Sequence, residues 1–247
     1  MKTRALLLML SSLVSPLALA LAAGNVDVYT AGDSKPKTLT NAEHLVDLVG
    51  QPRLANSWWP GAVVSERKAT ITEQARHQAL LARLTTLASE EGGDSAAAIN
   101  GLRQQLQGIK VTGRQLVELD PDFLRTHRRA NRPLEGDYTL WVGPQPTTIT
   151  VVGLVSRPGK KPFTPERDVV SYLDEMDLLS GADRSYAWVV YPNGKTQKVP
   201  VAYWNRRHVE PMPGSVIFVG FAPGLWSDEN DKLNADILQS LTHRIPE

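Results

Sequence analysis

One ten-residue pattern occurs twice in this chain, and it constrains the fold more than any other feature. Pro133–Val142 reads PLEGDYTLWV and Pro211–Gly220 reads PMPGSVIFVG. Both are Pro-x-x-Gly-(Asp/Ser) followed by a strand-like run, and each follows a basic segment, RTHRRANR or WNRRHVE. The offset between them is 78 positions. A second pair matches as well: TNAEHLVDLV from Thr40 and TPERDVVSYL from Thr164 share a Thr start, a charged first turn and an apolar face, at an offset of 124. The two offsets differ by 46 residues, so the first copy holds an extra segment of about that length. The sequence therefore specifies two related α+β modules, each built as strand–strand–helix–strands.

The extra segment is identifiable. From Thr70 to Ser89, Ile71, Ala75, Leu80, Leu81, Leu84 and Leu87 fall close to helical spacing. EEGGD interrupts the pattern, and Ser95 is placed to cap a second helix carrying Ile99, Leu102, Leu106 and Ile109. These helices form an αα-hairpin over about residues 68–109, whose apolar stripes are expected to pack on each other and on the domain beneath. Asn41 is the expected cap of the first repeated helix, and Lys110–Leu119 is expected to be a strand. NVDVYT alternates polar and apolar residues, TTITVVGLV is β-branched, and Pro192-Asn193-Gly194 marks a hairpin. The tail, residues 223–247, reads as an amphipathic helix with Leu233, Ile237, Leu238, Leu241 and Ile245 on one face. That face suits docking on the chain's own body, or on a partner or membrane surface. The helix is too short to span a bilayer.

The N-terminus sets the expected compartment. Lys2 and Arg4 precede an apolar run that ends in small residues, with Ala20-Leu21-Ala22 as an A-x-A site. Residues 1–22 read as a signal peptide cleaved near Ala22. No further segment is apolar enough to span a membrane, and no cysteine follows the run to carry a lipid. Without the leader's two cations, 25 basic residues face 26 acidic ones, which excludes the concentrated basic surface that nucleic acid requires. The chain has no cysteine, so its core alone must hold it.

Motifs for known chemistry are absent: there is no H-E-x-x-H, no G-x-S-x-G, no phosphate loop and no EF-hand, and the five histidines stand singly. No cofactor or metal is expected. Four residues stand out as candidates for a cleft. Trp58 and Trp59, before Pro-Gly, offer flat rings to a sugar face or plug a core. Arg114, in VTGRQ, sits where the insert rejoins the sheet, and junctions between modules favour clefts. Asp120, in LDPD, is a turn residue first and an acid–base candidate second. Trp141, Trp188 and Trp204 are expected in the core. Arg206, Arg207 and His208 are expected to solvate the corner before the second repeat.

LVDLVGQPRL, WWPGA, VTGR, LDPD, GDYTLWVG and WNRRHVEPMPGS occur in order along the chain. Together they resemble the GfcC/YjbG family of capsule and exopolysaccharide biosynthesis proteins, closest to its YjbG branch. The resemblance implies a periplasmic protein of Gram-negative bacteria. It implies an α+β fold of two β-grasp-like domains, similar to those of outer-membrane polysaccharide export channels. The first domain, residues 23–145, would carry the inserted helical hairpin, the second would span 146–222, and a C-terminal amphipathic helix would follow. The TGR motif would place a functional cleft arginine at Arg114. The implied role is an accessory in polysaccharide secretion or assembly, with extracellular polysaccharide or outer-membrane export proteins as partners. The alternatives are a polysaccharide-modifying enzyme with a cleft near Arg114, Trp58 and Asp120, and a structural partner assembling through the C-terminal helix. Apposed carboxylates in a cleft would favour the enzyme, and an open groove lined by tryptophan and arginine would favour glycan binding.

Overall fold

The computed structural model describes residues 24–31, 35–224 and 228–246; the expected leader, residues 1–22, lies outside them. The chain begins with strands β1 (Gly24–Thr30) and β2 (Lys37–Ala42), helix α1 (Leu45–Val49) and strand β3 (Val63–Glu66). The inserted helices α2 (Arg67–Glu90) and α3 (Gly93–Gln107) follow, then the short α4 (Pro121–Thr126) and strand β4 (Asp137–Val142). The second half runs β5 (Thr148–Gly153), β6 (Gly159–Pro162), α5 (Val169–Leu173), β7 (Tyr186–Val190), β8 (Thr196–Pro200) and β9 (Val216–Val219). Helix α6 (Glu229–Thr242) ends the fold.

The two halves share one topology. The first sheet has the order β2-β1-β4-β3 and the second β6-β5-β9-β7-β8. In each, a hairpin leads into a short helix, and the first strand pairs parallel with the last: β1 with β4, β5 with β9. These are two β-grasp-like domains, the second with an extra edge strand. The sequence repeat has a backbone cause. Gly136 and Gly214, at matching positions before β4 and β9, have φ of +106° and +79°. Only glycine takes such values freely, so both corners need it. Helices α1 and α5 begin 124 positions apart, as the repeat requires. Asn41 does not cap α1. The helix starts after His44, and Asp47 accepts from the backbone N–H groups of Glu43 and His44 at 2.9 and 2.8 Å. At α5, Asp168 caps through Ser171 N–H at 2.9 Å.

The insert belongs, by packing, to the other half of the molecule. Leu80, Leu84, Ile99, Leu102 and Leu106 join one core cluster with Ile149, Val151, Val189, Ile217 and the α6 residues Leu233, Ile237, Leu238 and Leu241. The first sheet has its own smaller core around Val26, Val28, Leu45, Leu48, Leu124 and Leu140. Gln105 of α3 confirms the attachment: its amide donates to the Gly153 carbonyl at 3.1 Å and accepts from Gly153 N–H at 2.9 Å. The insert thus leaves one domain and completes the core of the next. Ser95 is not the cap of α3, which starts at Gly93; its hydroxyl lies 2.8 Å from that of Ser180. The apolar face of α6 is buried on the chain's own body, so Leu233, Ile237, Leu238 and Leu241 are not free for a partner, and Ile245 lies half-buried beyond the helix, which ends at Thr242. Among the described residues no helix is long and apolar enough to cross a membrane.

A polar seam runs between α2 and α6. Buried His77 has Nδ1 2.6 Å from the Ser240 hydroxyl, and its ring also bonds the Leu106 carbonyl. A neutral imidazole donates at one nitrogen and accepts at the other, which suits these two neighbours. Burial lowers the His77 pKa below its ordinary 6.5, although the Leu106 carbonyl pulls the other way. Below about pH 6.5 the unfolded chain then binds more protons at this residue than the folded one does. The stability that the neutral ring contributes is complete above that pH and is lost as pH falls through the folded pKa. The thermal midpoint should therefore drop between pH 7.5 and pH 5.5, and His77→Gln should flatten that drop; an equal drop in the variant would show that His77 is not the titrating group.

Candidate functional site

Arg114 is 5 % exposed, and its guanidinium spans the seam between the two domains. It donates to the Pro192 carbonyl, in the β7–β8 hairpin, and to the Thr242 carbonyl at the end of α6, the latter at 3.3 Å. Its own backbone bridges to Ser65 on β3. Burial lowers its pKa to about 10, so it stays a cation at neutral pH. A cation at a helix C-terminus also meets the negative end of the helix dipole. Gly113 before it is sterically required, because a Cβ there would lie 2.2 Å from the Thr70 backbone nitrogen. Lys110–Leu119 is accordingly not a strand. It is an irregular connector held by isolated bridges, Val111 to Arg244 and Arg114 to Ser65. Arg244 is a second tie: it donates to the carbonyls of Leu241 at 2.8 Å and Gly214 at 2.9 Å.

The other candidate residues take separate local roles. Trp59 packs against the first core, and Trp58 lies over Gly61, where a Cβ would come within 2.5 Å of its ring. The Asp120 carboxylate accepts from Phe123 N–H at 2.8 Å and so caps α4. Arg206 reaches Asp168 at 3.3 Å and His208 reaches Glu210 at 2.8 Å, fastening the corner before the second repeat. Trp204 is not in the core. Strand β8 ends at Pro200, and the turn that follows leaves Trp204 76 % and Tyr203 98 % exposed. Asn205 fixes that turn through the Ala202 and Ser185 carbonyls.

Among the described residues grooves lie elsewhere, and none of Arg114, Trp58, Trp59 or Asp120 lines either of two such grooves. The first, of about 410 Å³, follows the α2–α6 seam, where the charged groups already pair: Arg76 with Glu73, and Arg83 with Glu229 and Asp236. The second, of about 360 Å³, lies over the outer face of β1 and β4. There the parallel register sets Asn25 beside Asp137, Asp27 beside Thr139 and Tyr29 beside Trp141. The Tyr29 and Trp141 rings stack, with centroids 5.9 Å apart and planes 11° apart. Arg67, Thr70 and Gln74 from the first turns of α2 form one wall, and Val111, Thr112 and Ile245 contribute to another. Among the described residues, the side chains of Asn25, Gln74 and Thr139 have no hydrogen-bond partner within the chain. Free polar groups beside aromatic surface are what a sugar ring needs: donors and acceptors for its hydroxyls, and a ring for its C–H face.

The sequence carried a signal for this groove. NVDVYT and DYTLWV each alternate, and in each the residues opposite the core end on an aromatic. Reading Trp141 as core hid the pattern. Among the described residues no group of three histidines or carboxylates is placed to hold a metal ion.

The family model described as capsule biosynthesis GfcC, N-terminal, matches residues 22–145, and that described as capsule biosynthesis GfcC C-terminal matches residues 157–246. The chain is also 66 % identical over 226 residues to the protein YjbG of Escherichia coli (strain K12), covering 92 % of each chain.

The arginine clamp makes a direct prediction. Arg114→Ala leaves two carbonyls unpaired and should cost about 3 kcal/mol in urea unfolding. Arg114→Lys, whose single ammonium cannot fork to both carbonyls, should fall between. A loss in Arg114→Ala under about 0.5 kcal/mol, the range of ordinary surface changes, would remove the clamp from the fold's support.

Proposed function

The chain belongs to the GfcC family of capsule biosynthesis proteins, and from that premise we propose that it is a periplasmic accessory in polysaccharide secretion or assembly, holding a stretch of polymer in the groove over β1 and β4. The observation that carries this reading is the groove's lining: stacked Tyr29 and Trp141 beside the unpartnered polar side chains of Asn25, Gln74 and Thr139. It is an open groove lined by tryptophan and arginine, though the pair is Trp141 and Arg67 in place of Trp58 and Arg114. The groove also lies where the modules join, beside the connector residues Val111 and Thr112 and the C-terminal Ile245. At 360 Å³ it is at the small end of ligand sites and takes a short stretch of chain. Its carboxylates are engaged in ways that suit binding. Asp27 accepts from the Thr38 hydroxyl at 2.7 Å, and Asp137 lies 3.7 Å from Arg67. Carboxylates so placed accept hydrogen bonds from sugar hydroxyls.

The basic, apolar and small-residue pattern of residues 1–22 supports delivery to the periplasm. N-terminal sequencing of protein recovered from a periplasmic extract should begin near Ala23; recovery only in washed inner membranes with Met1 retained would overturn that location. The groove is tested by titrating mature protein with polymer from the producing cell. Trp141→Ala should weaken binding roughly tenfold or more, and Gln74→Ala, at an exposed position on α2, should weaken it less. Unfolding curves for both variants separate lost binding from lost folding. Unchanged binding in a folded Trp141→Ala variant would sink the reading.

A further inference from the structure

The charges around the β1–β4 groove bear on which polymer it takes, an inference that rests on reading the groove as a glycan site. Among the described residues two carboxylates line it, Asp27 and Asp137, against a single cation, Arg67. That cation is weakly committed: its side chain is 79 % exposed and it lies 3.7 Å from Asp137, so it offsets one carboxylate at most. Asp27 is engaged by a neutral donor, the Thr38 hydroxyl on Oδ1, which brings no opposite charge to it. Among the described residues its other oxygen has no partner. The other polar side chains of the lining, among them Asn25, Thr70, Gln74, Thr112, Tyr138 and Thr139, carry no formal charge.

We infer that the groove selects a stretch of glycan free of acidic groups and rejects one that carries carboxylates or phosphates. The chemistry is that of acceptors. An ionised carboxylate can only accept, and sugar hydroxyls donate to it through charge-assisted bonds. A uronate or phosphate brought to the same place meets like charge beside aromatic surface, and among the described lining residues Arg67, which already faces Asp137, is the one cation set against two carboxylates. The aromatic surface of Tyr29 and Trp141 does not compensate, because the face of a ring is itself electron-rich and disfavours an anion. Selection here works by a repulsive element set beside an attractive one.

The test titrates mature protein with oligosaccharides of matched length. The neutral set is gluco-, galacto- and mannohexaose; the acidic set is hexagalacturonate and hexamannuronate. A neutral hexaose should bind at least tenfold more tightly than either acidic one. Added salt should narrow the gap, because screening weakens the repulsion. In the double variant Asp27→Asn with Asp137→Asn the gap should close, mainly because the acidic oligosaccharides gain. Acidic binding equal to or tighter than neutral binding in the unaltered protein overturns the inference, as does a gap that the double variant leaves unchanged. In either case the groove stands as a glycan site if Trp141→Ala still removes the binding. If only polymer from the producing cell binds, its carboxyl-reduced form decides: equal or tighter binding after reduction supports the inference, and weaker binding overturns it. If neither the oligosaccharides nor that polymer binds, the glycan reading falls together with the inference.

Discussion

A single buried guanidinium joins parts of this molecule that are far apart in sequence. Arg114 starts from the edge of the first sheet, bridged to Ser65, and ends on carbonyls of the β7–β8 hairpin and of α6. No carboxylate is needed there. Main-chain carbonyls at a helix end and in a tight turn carry partial negative charge, and the forked guanidinium meets two of them at once. Around it the C-terminal segment is stitched to the connector: Thr112 N–H donates to the His243 carbonyl and Ile245 N–H to the Lys110 carbonyl, both at 2.8 Å. Val111, Thr112 and Ile245, held by these neighbouring bonds, also line the β1–β4 groove, so the connector that carries Arg114 also forms part of the groove's wall.

The architecture was legible to the extent that it was written as repeated local pattern. The Pro-x-x-Gly corners, the helices 124 positions apart and the 46-residue surplus gave two α+β modules and an inserted hairpin, because positive-φ glycine and amphipathic spacing are local requirements. Which body the insert completes was not legible. Leu84 and Leu102 show only that a face must be buried, and nothing in their spacing says that Ile149 and Ile217 lie opposite them. Lys110–Leu119, expected as a strand, is a related case: its partners are the C-terminal segment and one sheet edge, contacts that no local rule reports.

The aromatic residues show the same limit. Trp141 and Trp204 look alike in sequence, each beside a tyrosine or an apolar run. The structure puts Trp141 on the open face of a sheet and Trp204 in a solvent-facing turn. Strand parity decides the first case, since Leu140 and Val142 take the core side and leave Trp141 opposite. A strand end decides the second, since β8 stops at Pro200.

The repeat also explains why a groove exists on one domain. The 78-residue offset maps Asp137, Thr139 and Trp141 of β4 onto Ser215, Ile217 and Val219 at β9. The parallel registers then map Asn25, Asp27 and Tyr29 of β1 onto Ile149, Val151 and Gly153 of β5. In the first copy these six positions are polar or aromatic and line open space. In the second copy Ile149, Val151, Ile217 and Val219 are buried in the core shared with the insert, and Gly153 is held by Gln105 of α3. The insert emerges from the first domain after β3 and spends its apolar faces on the second. Covering a sheet face demands apolar side chains on it, because buried polar groups without partners are costly. Leaving the matching face open removes that demand, and Asn25, Asp27, Thr139 and Trp141 occupy it. One insertion thus separates the two copies: the covered sheet is built into the shared core, and the uncovered one keeps the open face on which the proposed groove lies.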